Sequence, residues 1–258
     1  MTAPMALTGL GPLLRKELLE AWRTLRLPIV VVVFLIVGFG SPVLARFTPE
    51  LVRALAGNEL AIQLPPPTAT DAVDQLLKNA TQFGTLIAIL LASGSVATEK
   101  DQGTAALLLT GPANRAAFLV AKVVAIGLTM AVAVAGATLT AWLYTAILFE
   151  PLPIGSFATL GALVWLDLAV FLALTFLGST LTRSALAAAG FGFAFLILLG
   201  VLGVLPAIGP ALPTGLVATA RSVALGSPGV DWRPVVSAVV VIVVAIALAV
   251  GAFAREEL

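Results

Sequence analysis

Few side chains in this sequence could take part in chemistry, and their types exclude most kinds of catalytic and metal-binding site. The 258 residues include no histidine and no cysteine, so the commonest general base, the commonest nitrogen ligand and a thiolate nucleophile are missing. Three methionines are too few soft ligands to carry copper. A net charge of +1 gives no electrostatic reason to expect nucleic acid as a partner. We therefore predict no catalytic site and no metal site, and an intramembrane enzyme is disfavoured.

One acidic residue lies in an unusual place. Asp167 is the ionisable residue nearest the middle of a long apolar stretch. A charged carboxylate at the centre of a bilayer costs roughly 2.5–3.5 kcal/mol on insertion scales. We expect Asp167 to face the interior of a helix bundle, either protonated or hydrogen-bonded to a neighbouring helix. Its chemistry would be a proton relay or a cation contact, and the alternative is a structural hydrogen bond.

The elements that must hold this residue are membrane spans. Hydrophobic residues make up 60% of the sequence and charged residues 10%, whereas soluble domains contain about 25% charged residues. A span needs about 20 apolar residues. We predict an all-α integral membrane protein with six transmembrane helices, which form a single domain over residues 1–258. The predicted spans are 27–44, 82–97, 118–149, 158–178, 185–205 and 235–253.

The lysines and arginines predict the orientation, because cytoplasmic flanks carry an excess of them. With six spans and the N-terminus inside, nine of the 14 basic residues fall in cytoplasmic flanks. We predict the cytoplasmic (inner) membrane, with both termini in the cytoplasm. Five or seven spans would place the termini on opposite sides. The first charges, Arg15 and Lys16, precede the first long apolar run, so the start lacks the layout of a cleavable signal peptide.

Residues 10–27 are predicted to form an amphipathic interface helix. Leu14, Leu18 and Trp22 recur at helical spacing, and charged residues occupy the rest of the surface. Such a helix lies in the membrane interface with its tryptophan at headgroup depth. Docking onto a partner is the alternative, and both can hold together. The residues that would meet lipid or partner are Arg15, Lys16, Glu17, Glu20, Trp22 and Arg23.

Two predicted outer connections are long and contain several prolines and glycines. In the first, Pro49 begins a short helix and Thr70 caps a second one over residues 71–77. Pro42 is expected to kink or end the first span. In the second connection, residues 213–225 form a short apolar helix before the last span. Its composition predicts a re-entrant segment at the membrane edge.

The connection between the second and third spans carries the most information. It contains a charged stretch from Glu99 to Thr104, a short apolar helix that ends at Thr110, a Gly-Pro break and an Asn114 cap. A helix in a cytoplasmic loop must bury its apolar face. It can do so on its own bundle or in a partner protein.

This connection resembles the corresponding loop of type-2 ATP-binding-cassette (ABC-2) exporter permeases, in the subgroup associated with multicopper-enzyme maturation. The start of the chain agrees with the same family, as does a last span that ends near Arg255. The resemblance covers essentially the whole chain. The residues of the loop that carry it are Glu99, Gly103, Thr104, Leu108, Leu109, Pro112, Arg115 and Lys122.

The resemblance implies a permease half that forms a homodimer or a pseudo-dimer and works with two copies of a cytoplasmic ABC ATPase. The loop helix, at about residues 101–110, would be the coupling helix received by the ATPase. This chain contains no G-x-x-x-x-G-K-[ST] pattern, so it would bind no cofactor, and ATP and Mg²⁺ would be bound by the partner. The implied coupling residues are Glu99, Asp101, Gly103, Thr104, Leu107, Leu108, Pro112 and Arg115.

The alternative function is an ATP-independent secondary carrier or channel. Carriers usually contain internal repeats and interrupted spans near the midplane, and we find no convincing repeat here. In the exporter interpretation, glycines such as Gly84, Gly192 and Gly200 would line the dimer seam and the substrate path, although ordinary helix packing explains them equally well. An apolar path would suit a lipid-like or amphiphilic cargo.

Overall fold

The computed structural model describes residues 9–56, 65–104, 114–227 and 229–255, and these residues form an all-helical bundle without strands. Six of the described helices are long and apolar enough to cross a membrane, which confirms the predicted fold class. The helices are α1 (Leu10–Arg23), α2 (Arg26–Ala56), α3 (Ala69–Asp101), α4 (Arg115–Leu148), α5 (Ile154–Leu181), α6 (Ala185–Gly203), α7 (Gly215–Ala224) and α8 (Trp232–Ala254), with a 3-10 turn at Gly209–Ala211.

The connections gather at two ends of the bundle because the long helices alternate in direction. We call the end with α1, the α3–α4 connection and the last turn of α8 the α1 end, and the end with α7 the α7 end. At the α1 end, Arg115 Nη1 donates to the carbonyl oxygens of Phe253 and Ala254 at 3.4 and 3.3 Å. At the α7 end, Arg221 donates two hydrogen bonds, of 2.5 and 2.9 Å, to the Asp74 carboxylate.

Helix α5 is the centre of the bundle. It packs against α3, α4, α6, α7 and α8, and 78% of its most apolar stretch is buried. The corresponding fractions for α6 and α8 are 22% and 17%. Most of the apolar surface of these two helices therefore faces outward, toward lipid or another protein chain.

The structure corrects the first predicted outer connection. The prediction of a separate helix that begins at Pro49 is wrong, and Pro42 does not end the helix, because α2 continues through both prolines. Ser41 and Thr48, the residues before the two prolines, each donate their hydroxyl to the carbonyl four residues earlier at 2.7 Å. The helix continues through both prolines because packing against the rest of the bundle stabilises it.

The other side of that connection is corrected in the same way. Thr68, and not Thr70, caps the helix, and its backbone N–H and hydroxyl both donate to Asp71 Oδ2, at 2.7 and 2.8 Å. The helix then runs without interruption to Asp101. The predicted helix at 71–77 is therefore the first part of α3. At 33 residues α3 is about 50 Å long, so it must tilt or project beyond a hydrocarbon layer of roughly 30 Å.

The predicted helix at 213–225 is present as α7. Leu216, Ala220 and Ala224 are buried, and α7 packs against α5. Gly226 adopts a φ of 88°, a backbone conformation that favours glycine, and ends the helix. The depth of α7 in a bilayer stays a prediction.

Candidate functional site

A buried ionic cluster joins α1, α3 and α4 at the α1 end. The Lys122 side chain on α4 is only 4% exposed, and its Nζ lies 2.7 Å from Glu99 Oε1 and 3.1 Å from Glu17 Oε1. Glu99 belongs to α3 and Glu17 to α1. The Phe118 ring, one turn before Lys122, lies 5.0 Å from Nζ, within the range of a cation–π interaction. One buried cation is thus shared by carboxylates from two other helices.

Lys16 closes this cluster on its more exposed side. Its Nζ lies 3.1 Å from Glu17 Oε1, 3.2 Å from Glu20 Oε2 and 3.7 Å from Glu99 Oε1. Partial burial lowers the pKa of Lys16, but the attraction of the three glutamates, above all Glu17, outweighs this and raises the pKa above its ordinary value. Lys16 therefore stays charged throughout the physiological range.

The cluster borders a cavity of about 520 Å³ between α1, α3 and α4. Its two lysines and three glutamates leave one negative charge in excess. Glu99 Oε2 is buried and accepts no hydrogen bond from the described residues. The cluster is an ionic junction, because its lysines and glutamates lie within ion-pair distance of one another. Among the described residues, no group of three or more side chains could hold a metal ion.

The predicted interface helix presents two faces. Lys16, Glu17 and Glu20 turn into the cluster, whereas Arg15, Trp22 and Arg23 are exposed, and Trp22 is 62% exposed. The helix ends at Arg23 and not at residue 27. Leu25 adopts a φ of 60°, which is rare for leucine, and this residue forms the elbow between α1 and α2.

The predicted coupling residues lie at or between the ends of α3 and α4. Asp101 is exposed near the end of α3, Gly103 turns the chain with a φ of 70°, and the Thr104 hydroxyl donates to the Glu99 carbonyl at 3.2 Å. Arg115 contacts the end of α8, as described above. Residues 105–113 are outside the described residues, so the coupling helix itself stays a prediction. Three of its predicted residues fall there: Leu107, Leu108 and Pro112.

Sequence reasoning gave no role to the residue at the centre of the cluster. Lys122 was one of the residues that carried the resemblance to ABC-2 permeases, but its position in the sequence also indicated that its side chain is buried. It follows Arg115 by about two helical turns in an otherwise apolar run, and a buried lysine needs a carboxylate partner. Lys100 was also missed. It is buried and donates to the Thr180 carbonyl of α5 at 2.8 Å, and nothing in the local sequence indicated that contact.

Asp167 lies in the middle of α5, as the fourteenth of its 28 residues. It is 5% exposed and faces the interior of the bundle. It makes no hydrogen bond or ion pair with the described residues. The structure therefore provides no support for the structural hydrogen bond that was the alternative interpretation.

A cavity of about 400 Å³ lies beside Asp167. Its polar walls can hold a cation or a proton, since hydroxyls and an amide face the same space as the carboxylate. Helices α3, α5 and α6 form most of the wall, and the start of α7 closes it. The lining residues are Thr81, Gln82, Thr85, Leu86, Asp167, Phe171, Leu196, Thr214 and Val217.

The glycines predicted for the dimer seam divide into two groups. A Cβ at Gly84 would meet Leu168, and one at Gly192 would collide with Thr175 of the same chain. Packing within the chain accounts for both. A Cβ at Gly190 or Gly200 on α6 would have no contact within 4 Å among the described residues, so both positions are open to a neighbouring molecule.

Residues 12–258 match the profile of the family described as ABC-2 family transporter protein. The chain is also similar to the uncharacterized transmembrane protein YxlG of Bacillus subtilis (strain 168). The two are 30% identical over 183 residues, which cover 70% of each chain. The family match includes nearly all of α1, the whole ionic cluster and every later helix of the described chain.

Proposed function

The chain belongs to the ABC-2 family of transporter proteins, and we propose that it is the permease subunit of an ATP-driven exporter. Members of this family are membrane transport subunits that normally work with a cytoplasmic ATPase. In this proposal the ATPase binds ATP and Mg²⁺, and the present chain provides the path through the membrane.

The Lys122 cluster is the observation that carries this proposal. Lys122 joins α1 to both helices that flank the α3–α4 connection, with distances of 2.7 and 3.1 Å. A displacement of α1 or of that connection would move α3 and α4 together, because separating Lys122 from its carboxylates would leave a buried charge without a partner. Helix α4 also packs against α2 and α5, so the displacement would extend to the centre of the bundle.

The exposed parts of the α1 end supply the surface for the ATPase. Arg15 and Arg23 face away from the bundle and would meet the ATPase, while Trp22 would lie at headgroup depth. The proposed coupling helix at 101–110 would enter a cleft in the ATPase. Arg115 would brace the start of α4 through its contacts with α8.

We place the α1 end in the cytoplasm and the protein in the cytoplasmic membrane as a homodimer with two ATPase subunits. The basic residues of the flanks support this orientation. The outward apolar faces of α6 and α8 offer surface for a second copy and for lipid. Contact with a second copy would also explain why only 22% of the most apolar stretch of α6 is buried within its own chain.

Co-purification tests the proposal. The tagged chain is expressed together with a candidate ABC ATPase from the same genome, extracted in mild detergent and captured. We expect the ATPase to be retained in equal amount. The double change Arg15→Glu and Arg23→Glu should reduce retention by about tenfold, since it replaces two attractions by repulsions.

A charge reversal at the α7 end provides the matched control. Arg233 is exposed there, and Arg233→Glu should leave ATPase retention unchanged. A wild-type chain that never retains the ATPase would contradict the exporter and favour an ATP-independent carrier or channel. Loss of retention in the Arg233 variant as well would mean that the contact is not at the α1 end.

A further inference from the structure

We propose that the cavity beside Asp167 binds the cationic head of an amphiphilic substrate, an organic ammonium group attached to an apolar body. This inference names the kind of substrate that the proposed exporter would carry, and in that sense it rests on the proposed function. The binding itself can be measured without the ATPase. The inference follows from the carboxylate, its polar neighbours and the apolar wall around them.

The carboxylate is the first argument. Asp167 is 5% exposed, lies at the middle of a membrane-spanning helix and has no hydrogen bond or ion pair with the described residues. The lining residues include no lysine or arginine, so no cation of the described residues compensates the Asp167 carboxylate. A bound cation would supply the missing partner.

The neighbouring polar groups fit an ammonium ion. Gln82 and Thr85 line the same cavity, and neither side chain makes a hydrogen bond with the described residues. An ammonium group has three N–H donors and no acceptor. The Asp167 carboxylate, the Gln82 amide oxygen and the Thr85 hydroxyl provide three acceptors for it.

The rest of the wall favours an organic body over a bare ion. Leu86, Phe171, Leu196 and Val217 form the apolar part of the lining. The volume of about 400 Å³ falls within the usual range of small-molecule sites, roughly 300–1,000 Å³. A metal ion would need several oxygen ligands in one small shell, and this cavity offers one carboxylate.

The cavity has a route for such a molecule. Gln82 and Leu86 on α3 are exposed, so the site opens at the side of the bundle and not only along its axis. An amphiphile already dissolved in the bilayer could enter between α3 and α6 with its apolar body in lipid. This lateral entrance suits a cation with a hydrocarbon chain better than a hydrophilic one.

A binding measurement tests the inference. The purified full chain in nanodiscs of neutral phosphatidylcholine is titrated with radiolabelled dodecylammonium at pH 7, and empty nanodiscs correct for partition into lipid. Unlabelled dodecanol and dodecyl sulfate serve as neutral and anionic competitors of equal chain length. We expect saturable binding that excess dodecylammonium displaces and that neither competitor displaces at the same concentration.

Variants locate the site. Asp167→Asn should weaken dodecylammonium binding by about tenfold or more, as expected for loss of a charged hydrogen bond, and Asp167→Glu should restore most of it. Thr85→Val, of nearly equal volume, should weaken binding several-fold. Glu150→Gln removes an exposed carboxylate outside the cavity and should leave binding unchanged. Thermal unfolding of each variant confirms that it is folded.

The results of these experiments test the cation site and the exporter proposal independently. Unchanged affinity in Asp167→Asn and Thr85→Val, or equal displacement by dodecanol, would overturn the cation site. If the ATPase is not retained but Asp167-dependent binding is present, the exporter proposal fails and the site stands. If the ATPase is retained and no saturable binding occurs, the substrate class is wrong and the exporter proposal stands.

Discussion

Lys122 and Asp167 are two of the buried charged side chains in the described part of the chain, and they differ in one respect. Lys122 is compensated by Glu17 and Glu99 within hydrogen-bonding distance, whereas Asp167 has no partner among the described residues. A compensated charge holds helices together, because removal of either partner leaves a buried charge behind. An uncompensated carboxylate in a cavity, such as Asp167, is better suited than Lys122 to bind a ligand of opposite charge.

Replacement of Lys122 should show how much the junction contributes. Lys122→Met leaves Glu17 and Glu99 close together without their shared cation, and we expect the free energy of unfolding to fall by on the order of 3 kcal/mol. The measurement is denaturant unfolding of the purified chain in detergent. Lys78→Met, at an exposed position of α3 near the α7 end, is the control and should change stability by less than about 0.5 kcal/mol.

A double variant separates the junction from simple loss of packing. Lys122→Met combined with Glu99→Gln removes one of the two carboxylates that have lost Lys122, so the combined loss should be smaller than the sum of the single losses. Additive losses would mean that the two side chains do not interact, in contradiction to their 2.7 Å separation.

At the scale of elements, helix existence and type could be predicted from the sequence, and helix ends could not. The apolar runs predicted six spans, and six helices of the described chain are long and apolar enough to cross a membrane. The Asn114 cap was predicted from the residue type, and its side chain accepts a hydrogen bond from the Ala116 N–H at 3.1 Å. Pro42 and Pro49 misled the prediction, because proline ends helices in water. Inside a packed bundle, tertiary contacts stabilise the helix despite the lost backbone bond.

Close contact between α2 and α4 gives a matched pair of glycines. A Cβ at Gly38 would collide with the backbone of Ala137, whereas one at Gly40 would have no contact within 4 Å among the described residues. Gly38→Ala should therefore destabilise by about 1–3 kcal/mol through overpacking. Gly40→Ala should stabilise by about 0.5–1 kcal/mol, because alanine favours a helix over glycine.

Thermal unfolding of both alanine variants in one detergent checks this contrast. Equal shifts of the two Tm values would show that α2 and α4 are not in contact at Gly38. The sequence could not distinguish the two glycines, since they are two positions apart in the same apolar run. Which of them faces a neighbour depends on how α2 is rotated about its axis.

At the scale of the whole molecule, orientation can be tested cleanly because the chain contains no cysteine. Thr24 is exposed at the α1 end and Ser227 at the α7 end. A membrane-impermeant maleimide should label Ser227→Cys in intact cells and Thr24→Cys only after the membrane is opened. Labelling of Thr24→Cys in intact cells would reverse the proposed orientation, and labelling of both would contradict a single topology.

The sequence by itself determined the membrane class, the number of spans and the family, because those depend on composition, on run length and on the order of short motifs. It also placed Asp167 in the middle of a span. It could not show that Lys122 is the shared partner of Glu17 and Glu99, since these residues are 105 and 23 positions from it in the chain.

Only the tertiary structure decided which side chains share a space. The cavity at Asp167 is built from α3, α5, α6 and the start of α7, and no local pattern records how four segments are rotated against one another. Residues such as Gln82 and Thr85 look like ordinary members of a span until packing turns them toward the carboxylate. Local sequence sets what each helix is made of, and the packing of the bundle decides what each side chain meets.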